Sequence, residues 1–149
     1  VYGSGSVDQV EMAKNIAEEL GISDLVIWHG NQQNDVVMEA MRKAQLFFFT
    51  SVNEDTSTVV LEAVSNRLPV VCFDACGMSA VIGDSVGRKI ALSHPSQSAH
   101  DFAQILNELE GNRALLRHWS ENCKQRQMEL SWEVKARKVM EEYKRIIGK

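Results

Sequence analysis

The chain has 149 residues, 44% hydrophobic and 24% charged, with nine Gly and two Pro. That is one domain's worth of chain with an ordinary core, and it excludes a disordered tail, a collagen-like repeat and a small disulfide-stapled scaffold. Sixteen Lys and Arg against twenty Asp and Glu leave a net charge of −4, so the chain as a whole is a poor wrapper of nucleic acid.

Val1-Tyr2 followed by Gly3-Ser4-Gly5-Ser6 reads as a strand end and a turn. Val7, Val10, Ala13, Ile16, Ala17 and Leu20 then recur at helical spacing, with Gly21 at the C-cap. Leu25 to Trp28 predicts a short buried strand closed by Gly30. Asn34 or Asp35 caps a second helix through about Lys43, with Val36, Val37, Ala40, Met41 and Ala44 inward. Leu46 to Thr50 is apolar at nearly every position, as in a parallel strand covered on both faces. A third helix spans roughly Ser57 to Arg67, and Pro69 opens a strand from Val70 to Phe73. A loop with Cys76-Gly77 and Gly83 leads to a weak strand near Lys89 to Leu92. This β-α-β-α-β-α-β order with short connections predicts an α/β fold, a Rossmann-like parallel sheet with helices on both faces.

From Ser96 onward the chain reads as helical, a C-terminal segment (about 96–149) of the same domain. Phe102, Ala103, Ile105, Leu106 and Leu109 form one stripe; Leu115, Leu116, Trp119 and Cys123 form another. After Ser131, an N-cap, Val134, Val139, Met140, Tyr143, Ile146 and Ile147 face one way. Residues 1–110 carry six basic and fifteen acidic side chains, net −9; residues 111–149 carry ten and five, net +5. The basic helices have two readings, a solvated face or a peripheral contact with an anionic membrane. No apolar run reaches the roughly 18 to 20 residues that cross a bilayer. Cys72, Cys76 and Cys123 are odd in number and lack a usual zinc or redox spacing, which reads as reduced thiols in a cytoplasmic protein. With no initiator Met and an apolar pair at its start, the chain reads as truncated inside or just before a strand.

The stretch that carries chemistry is Asn53 to Ala63. In an open parallel sheet, ligands bind outside the carboxyl ends of the strands, and Glu54 follows directly on such an end. Thr56-Ser57-Thr58 then begins a helix whose free N–H groups and positive dipole end suit an anion. Glu62 sits among Val59, Val60, Leu61, Ala63 and Val64, where a carboxylate needs a hydrogen-bonding partner or costs desolvation. It is either a ligand group or a residue on the one exposed stripe of its helix. A capping glutamate would need Ser or Thr three residues before it, and position 59 is Val.

Glu54, seven intervening residues and Glu62, followed by Ala63-Val64-Ser65-Asn66-Arg67-Leu68-Pro69-Val70-Val71, resemble the E-x7-E block of retaining glycosyltransferases of family 4 (group 1) with the GT-B fold. The resemblance covers nearly the whole chain. Val1-Tyr2-Gly3-Ser4-Gly5 is similar to that family's strand and G-x-G turn. Trp28-His29-Gly30 matches the triplet before its base-binding loop, and Phe73-Asp74-Ala75-Cys76-Gly77-Met78 its Gly-containing loop. Leu130-Ser131-Trp132 matches the opening of its C-terminal helix.

The resemblance implies the C-terminal donor-binding domain of an enzyme that moves a sugar from a nucleoside diphosphate sugar to an acceptor. Glu62 would accept from the ribose hydroxyls, and Glu54, the catalytic-site carboxylate, from hydroxyls of the transferred sugar. The helix start at Thr56, Ser57, Thr58 and Val59 would receive the diphosphate, with Ser57, Thr58 and Val59 offering backbone N–H groups. Main-chain groups near Gly30, Asn31 and Gln32 would receive the base. The family's reaction is usually metal-independent, so no metal or other cofactor is expected. Its oxocarbenium-like transition state is stabilised by electrostatic placement of the leaving diphosphate. The Arg and Lys that clamp the diphosphate, and the acceptor domain, would lie upstream of Val1, leaving this segment inactive alone. The family's Gly-Phe-Gly is here Asp55-Thr56-Ser57, and its loop Pro and Glu are replaced in Cys76-Gly77-Met78-Ser79-Ala80. These departures allow a second reading, a non-catalytic nucleotide-sugar-binding or scaffold domain. A dinucleotide fingerprint is absent, since position 8 is Asp, and the four His are scattered.

Overall fold

The structure is a computed structural model that describes residues 1–54 and 58–148. It divides into two compact units, Val1–Ala40 and Met41–Lys149.

In the first unit, α1 (Val7–Glu19) opens on a capping box: Ser6 Oγ accepts from Gln9 N–H, and Gln9 Oε1 accepts from Ser6 N–H. Leu20 is the C-cap, and Gly21, at φ +66°, turns the chain away. The expected buried strand from Leu25 to Trp28 does not form. Ser23–Leu25 is a single 3-10 turn, Leu25 and Ile27 are 81% and 68% exposed, and Tyr2–Gly30 is an isolated parallel bridge. Strand-like composition is present, but a two-stranded pairing without a covering layer leaves these side chains in water. Helix α2 (Asn34–Lys43) takes in both expected capping residues, Asn34 and Asp35, and runs past Ala40, the end of the first unit; Met41 is buried, whereas Val36, expected inward, is exposed.

The second unit is built on a parallel three-stranded sheet of order β1-β2-β3, with β1 Phe47–Phe49, β2 Val70–Phe73 and β3 Gly87–Ile90. All four side chains of the central β2 are buried. The expected two-sided cover of the Leu46 to Thr50 strand is incomplete, since Phe48 is 44% exposed. Helix α3 (Thr58–Ser65) packs on β2, and the loop expected after Phe73 contains a one-turn helix, α4 (Met78–Val81). Strand β3 lies two residues earlier than the sequence suggests.

Helix α5 (Pro95–Gly111) sends Phe102 edge-on against Phe48 and Phe73, at 4.9 and 5.0 Å between ring centroids. Helix α6 (Arg113–Glu129) starts at an Asn112 cap, buries Leu116, Trp119 and Cys123, and packs on α3 and α5. Its polar side chains satisfy carbonyls where other elements end. Ser120 Oγ donates to Arg67 O at 2.7 Å, Asn122 Nδ2 to Ser85 O at 3.0 Å, and Arg126 Nε to Val81 O at 2.9 Å. Helix α7 (Trp132–Ile147) takes its N-cap from Ser131 and ends at Gly148, φ +78°. Its apolar stripe is exposed from Val139 to Ile147, and no residue of α7 is buried.

Burial in the apolar layer pushes the Cys72 and Cys123 thiols up to about 11, while Cys76 lies exposed. A maleimide at neutral pH should therefore modify one thiol per folded chain, Cys76, and the other two only in denaturant. Mass spectrometry of a labelling time course checks this; rapid modification of all three in the folded chain would contradict it.

Candidate functional site

Parallel strands deliver all their carboxyl ends to one edge of the sheet. The β1–β2 register pairs Phe49 with Cys72, so the segments Thr50 to Glu54 and Asp74 to Gly77 leave the sheet at the same edge. Glu54 is half-buried there. Thr58 and Val59 form the start of α3, exposed and half-buried respectively, where first-turn N–H groups have no acceptor within the helix. Thr56 and Ser57, together with Asp55, lie outside the described residues.

Glu62 is half-buried one turn further along α3, between the buried Val60 and the buried Ala63-Val64 pair. Its carbonyl accepts from the Asn66 backbone N–H and Nδ2, at 3.0 and 2.9 Å, which closes the helix. Helix α3 in turn packs on β2, α4 and α6. The carboxylate is thus presented by a helix whose other faces are fixed, the condition for holding a ligand group in one geometry.

A polar cluster not evident from the sequence stands at the same edge. Asp74 N–H donates to Ile90 O at 2.7 Å, joining the ends of β2 and β3. Asp74 Oδ1 accepts from Ser79 Oγ at 2.7 Å and from Lys89 Nζ at 2.9 Å, and Lys89 also donates to Ser79 O at 3.0 Å. The Ser79 hydroxyl and the Lys89 ammonium hold the Asp74 carboxyl below its ordinary value. The signal was Asp74 directly after a buried strand, but its partners lie 5 and 15 residues on, beyond any local pattern.

In the first unit, Gly30 adopts φ +65°, and its carbonyl accepts from Gly3 N–H at 2.9 Å. Asn31 and Gln32 are exposed, and Gln32 Nε2 donates to His29 O at 2.7 Å, bracing the loop. Tyr2 and His29 stack at 4.3 Å with planes 12° apart. They border an open cleft of about 410 Å³ that Gly5, Lys14, Trp28 and Gly30 also line. Tyr2 and Lys14 were not singled out from the sequence as site residues. Gly30, Asn31 and Gln32 thus belong to the first unit, and Glu54, Thr58, Val59 and Glu62 to the second. Among the described residues, no cluster of three or more His, Cys, Asp or Glu is placed to hold a metal ion. Among the same residues, no helix is long and apolar enough to cross a membrane.

An α/β unit with a parallel sheet and a carboxylate-bearing segment at its carboxyl edge is the architecture of many nucleotide-dependent enzymes. Residues 1–126 match the family of glycosyl transferases group 1, and the chain belongs to that family. A D-inositol 3-phosphate glycosyltransferase from Nocardia farcinica is 28% identical over 141 residues, 95% of this chain and 30% of the relative. A putative teichuronic acid biosynthesis glycosyltransferase, TuaC, from Bacillus subtilis is 39% identical over 54 residues, 36% of this chain and 14% of the relative. Among solved structures, WaaG, a glycosyltransferase involved in lipopolysaccharide biosynthesis, superposes with a TM-score of 0.72 at 27% identity, covering 85% of this chain and 32% of that one. Sucrose-phosphate synthase from Thermosynechococcus elongatus shares the fold, with a TM-score of 0.74 at 18% identity over 98% of this chain and 37% of that one. The chain spans about a third or less of these proteins.

Proposed function

We propose that the chain binds the nucleoside diphosphate sugar donor of a retaining glycosyl transfer, as the C-terminal domain of a GT-B enzyme of family 4. The observation that carries this reading is the Glu54–Glu62 pair. In a chain of the group 1 glycosyl transferase family, Glu54 follows the carboxyl end of β1, and Glu62 is half-buried on a largely apolar, packed helix.

Glu62 accepts hydrogen bonds from the two ribose hydroxyls, which suit one carboxylate as adjacent donors. Glu54 accepts from hydroxyls of the transferred sugar. The N–H groups of Thr58 and Val59, at the start of α3, face the diphosphate. Partial exclusion of water at the half-buried Glu54 and Glu62 strengthens their bonds. Transfer passes through an oxocarbenium-like transition state whose leaving diphosphate is stabilised by placed N–H dipoles and by cations from elsewhere in the parent protein. No metal is assigned a role.

Calorimetric titration of the chain with UDP, GDP and ADP tests the reading. One diphosphate should bind preferentially, and Glu62→Ala should weaken it by about 1 to 3 kcal/mol, about 5- to 150-fold, through lost charged hydrogen bonds. Equal binding by both proteins would remove Glu62 from the site.

A further inference from the structure

We propose that Asp74 and Lys89 together bind a vicinal diol of the transferred sugar, an uncharged pyranose, and so favour one class of donor; this rests on the donor-binding reading above. Asp74 and Ser51 each stand two residues past the last paired residues of their strands, Cys72 and Phe49. The Asp74 backbone therefore leaves the sheet beside the segment that leads to Glu54. The Asp74 side chain is 49% exposed at that edge, while Lys89, on β3, is held at 21%.

The bonding of this pair leaves the two groups that a diol needs. Ser79 Oγ and Lys89 Nζ both donate to Oδ1 of Asp74, so among the described residues Oδ2 has no protein donor. The Lys89 ammonium uses two of its three N–H groups, on Asp74 Oδ1 and on Ser79 O, and keeps the third. One hydroxyl of a vicinal diol can donate to Oδ2 while its neighbour accepts from Nζ. An anion would meet the Asp74 carboxylate and a cation the Lys89 ammonium, so the pair suits an uncharged ligand that both donates and accepts. Its geometry is set before binding. Asp74 N–H on Ile90 O ties the carboxylate to the ends of β2 and β3, and Arg126 Nε, donating to Val81 O at 2.9 Å, fixes the end of α4, the turn that carries Ser79. An ion pair this exposed adds little to folding, whereas a placed acceptor and donor at the edge shared with Glu54 can order a sugar.

Calorimetric titration with UDP-glucose, GDP-mannose and ADP-glucose, each beside its bare diphosphate, tests the pair. Asp74→Ala should weaken the sugar conjugate of the preferred base about tenfold and leave the bare diphosphate within about twofold of the native chain. Lys89→Met should show the same split, and Lys89→Arg, which keeps the donors, should recover most of the loss. Neither side chain is fully buried, so circular dichroism should show each variant folded. A purely structural pair would weaken conjugate and diphosphate alike, and that result would overturn the proposal, as would conjugate binding indifferent to Asp74→Ala. So would an Asp74-dependent affinity for methyl glucoside with none for the conjugate, which would assign the pair to an acceptor sugar. Failure of every diphosphate and conjugate to bind would overturn the donor-binding reading as well, whereas Glu62-dependent diphosphate binding beside a conjugate indifferent to Asp74 would overturn the diol site alone.

Discussion

Gly87→Ala should destabilise the second unit by about 3 kcal/mol or more and lower its Tm by about 10 °C. Gly87 pairs with Val70 of β2, and a Cβ added there would stand 1.9 Å from the Val70 carbonyl oxygen, 2.9 Å from its carbon and 3.2 Å from Ile82 Cγ2. The first two are backbone atoms of a strand whose side chains are all buried, so neither can turn aside. β3 must instead move away from β2, which breaks the ladder and opens the layer over Val70 and Val86. The cause is close approach, since Gly87 shows no positive φ. Gly83→Ala is the matched control: nothing lies within 4 Å of its Cβ position, and the substitution should be near neutral. Urea unfolding of both variants checks this, and a Gly87→Ala midpoint equal to that of the native chain would contradict the β2–β3 register.

Trp119→Ala should cost about 3 to 5 kcal/mol, the range for emptying a large buried aromatic site. Trp119 is 1% exposed on α6, and the Arg88 guanidinium lies 5.0 Å from its ring centroid, so the side chain ties α6 to β3 as well as filling the core. The same helix satisfies the carbonyls of Arg67, Ser85 and Val81, so loosening it releases the end of α3 and both ends of the segment between α4 and β3. Trp119→Phe keeps most of the volume and should recover more than half of the loss. A Trp119→Ala chain that unfolds at the native urea concentration would show that the ring does not bear on folding.

Much of this architecture is legible in the residues. Helices α1, α2, α3 and the three C-terminal helices declare themselves through apolar spacing and caps, and Pro69 marks the start of the central strand. What fails to show depends on partners distant in the chain. Gly87-Arg88-Lys89-Ile90 does not look like a strand, yet β3 starts there because only Gly87 fits against Val70. Leu25 to Trp28 does look like one, but Leu25 and Ile27 lack cover within their unit. The four-residue α4 is too short to carry a period. The stripe of α7 is plain in the sequence, whereas its exposure is not, because periodicity reveals an apolar face and never what it meets.

At the candidate site the same division holds. The spacing of Glu54 and Glu62 is a local pattern, and the structure sets both residues half-buried, one at the sheet edge and one on α3. The Asp74–Ser79–Lys89 cluster and the Tyr2–His29 stack arise only when separate segments meet, so no window of sequence contains them.

The contact between Glu62 and the ribose is the centre of the functional account, and a double-mutant cycle tests it most directly. Binding of the preferred nucleoside diphosphate and of its 2′,3′-dideoxy analogue would be measured on the native chain and on Glu62→Ala. Removal of the two hydroxyls should weaken binding to the native chain and have almost no further effect on Glu62→Ala, giving a coupling energy of about 1 to 3 kcal/mol. Equal losses in both proteins would mean that the hydroxyls and Glu62 do not meet, and would contradict the account.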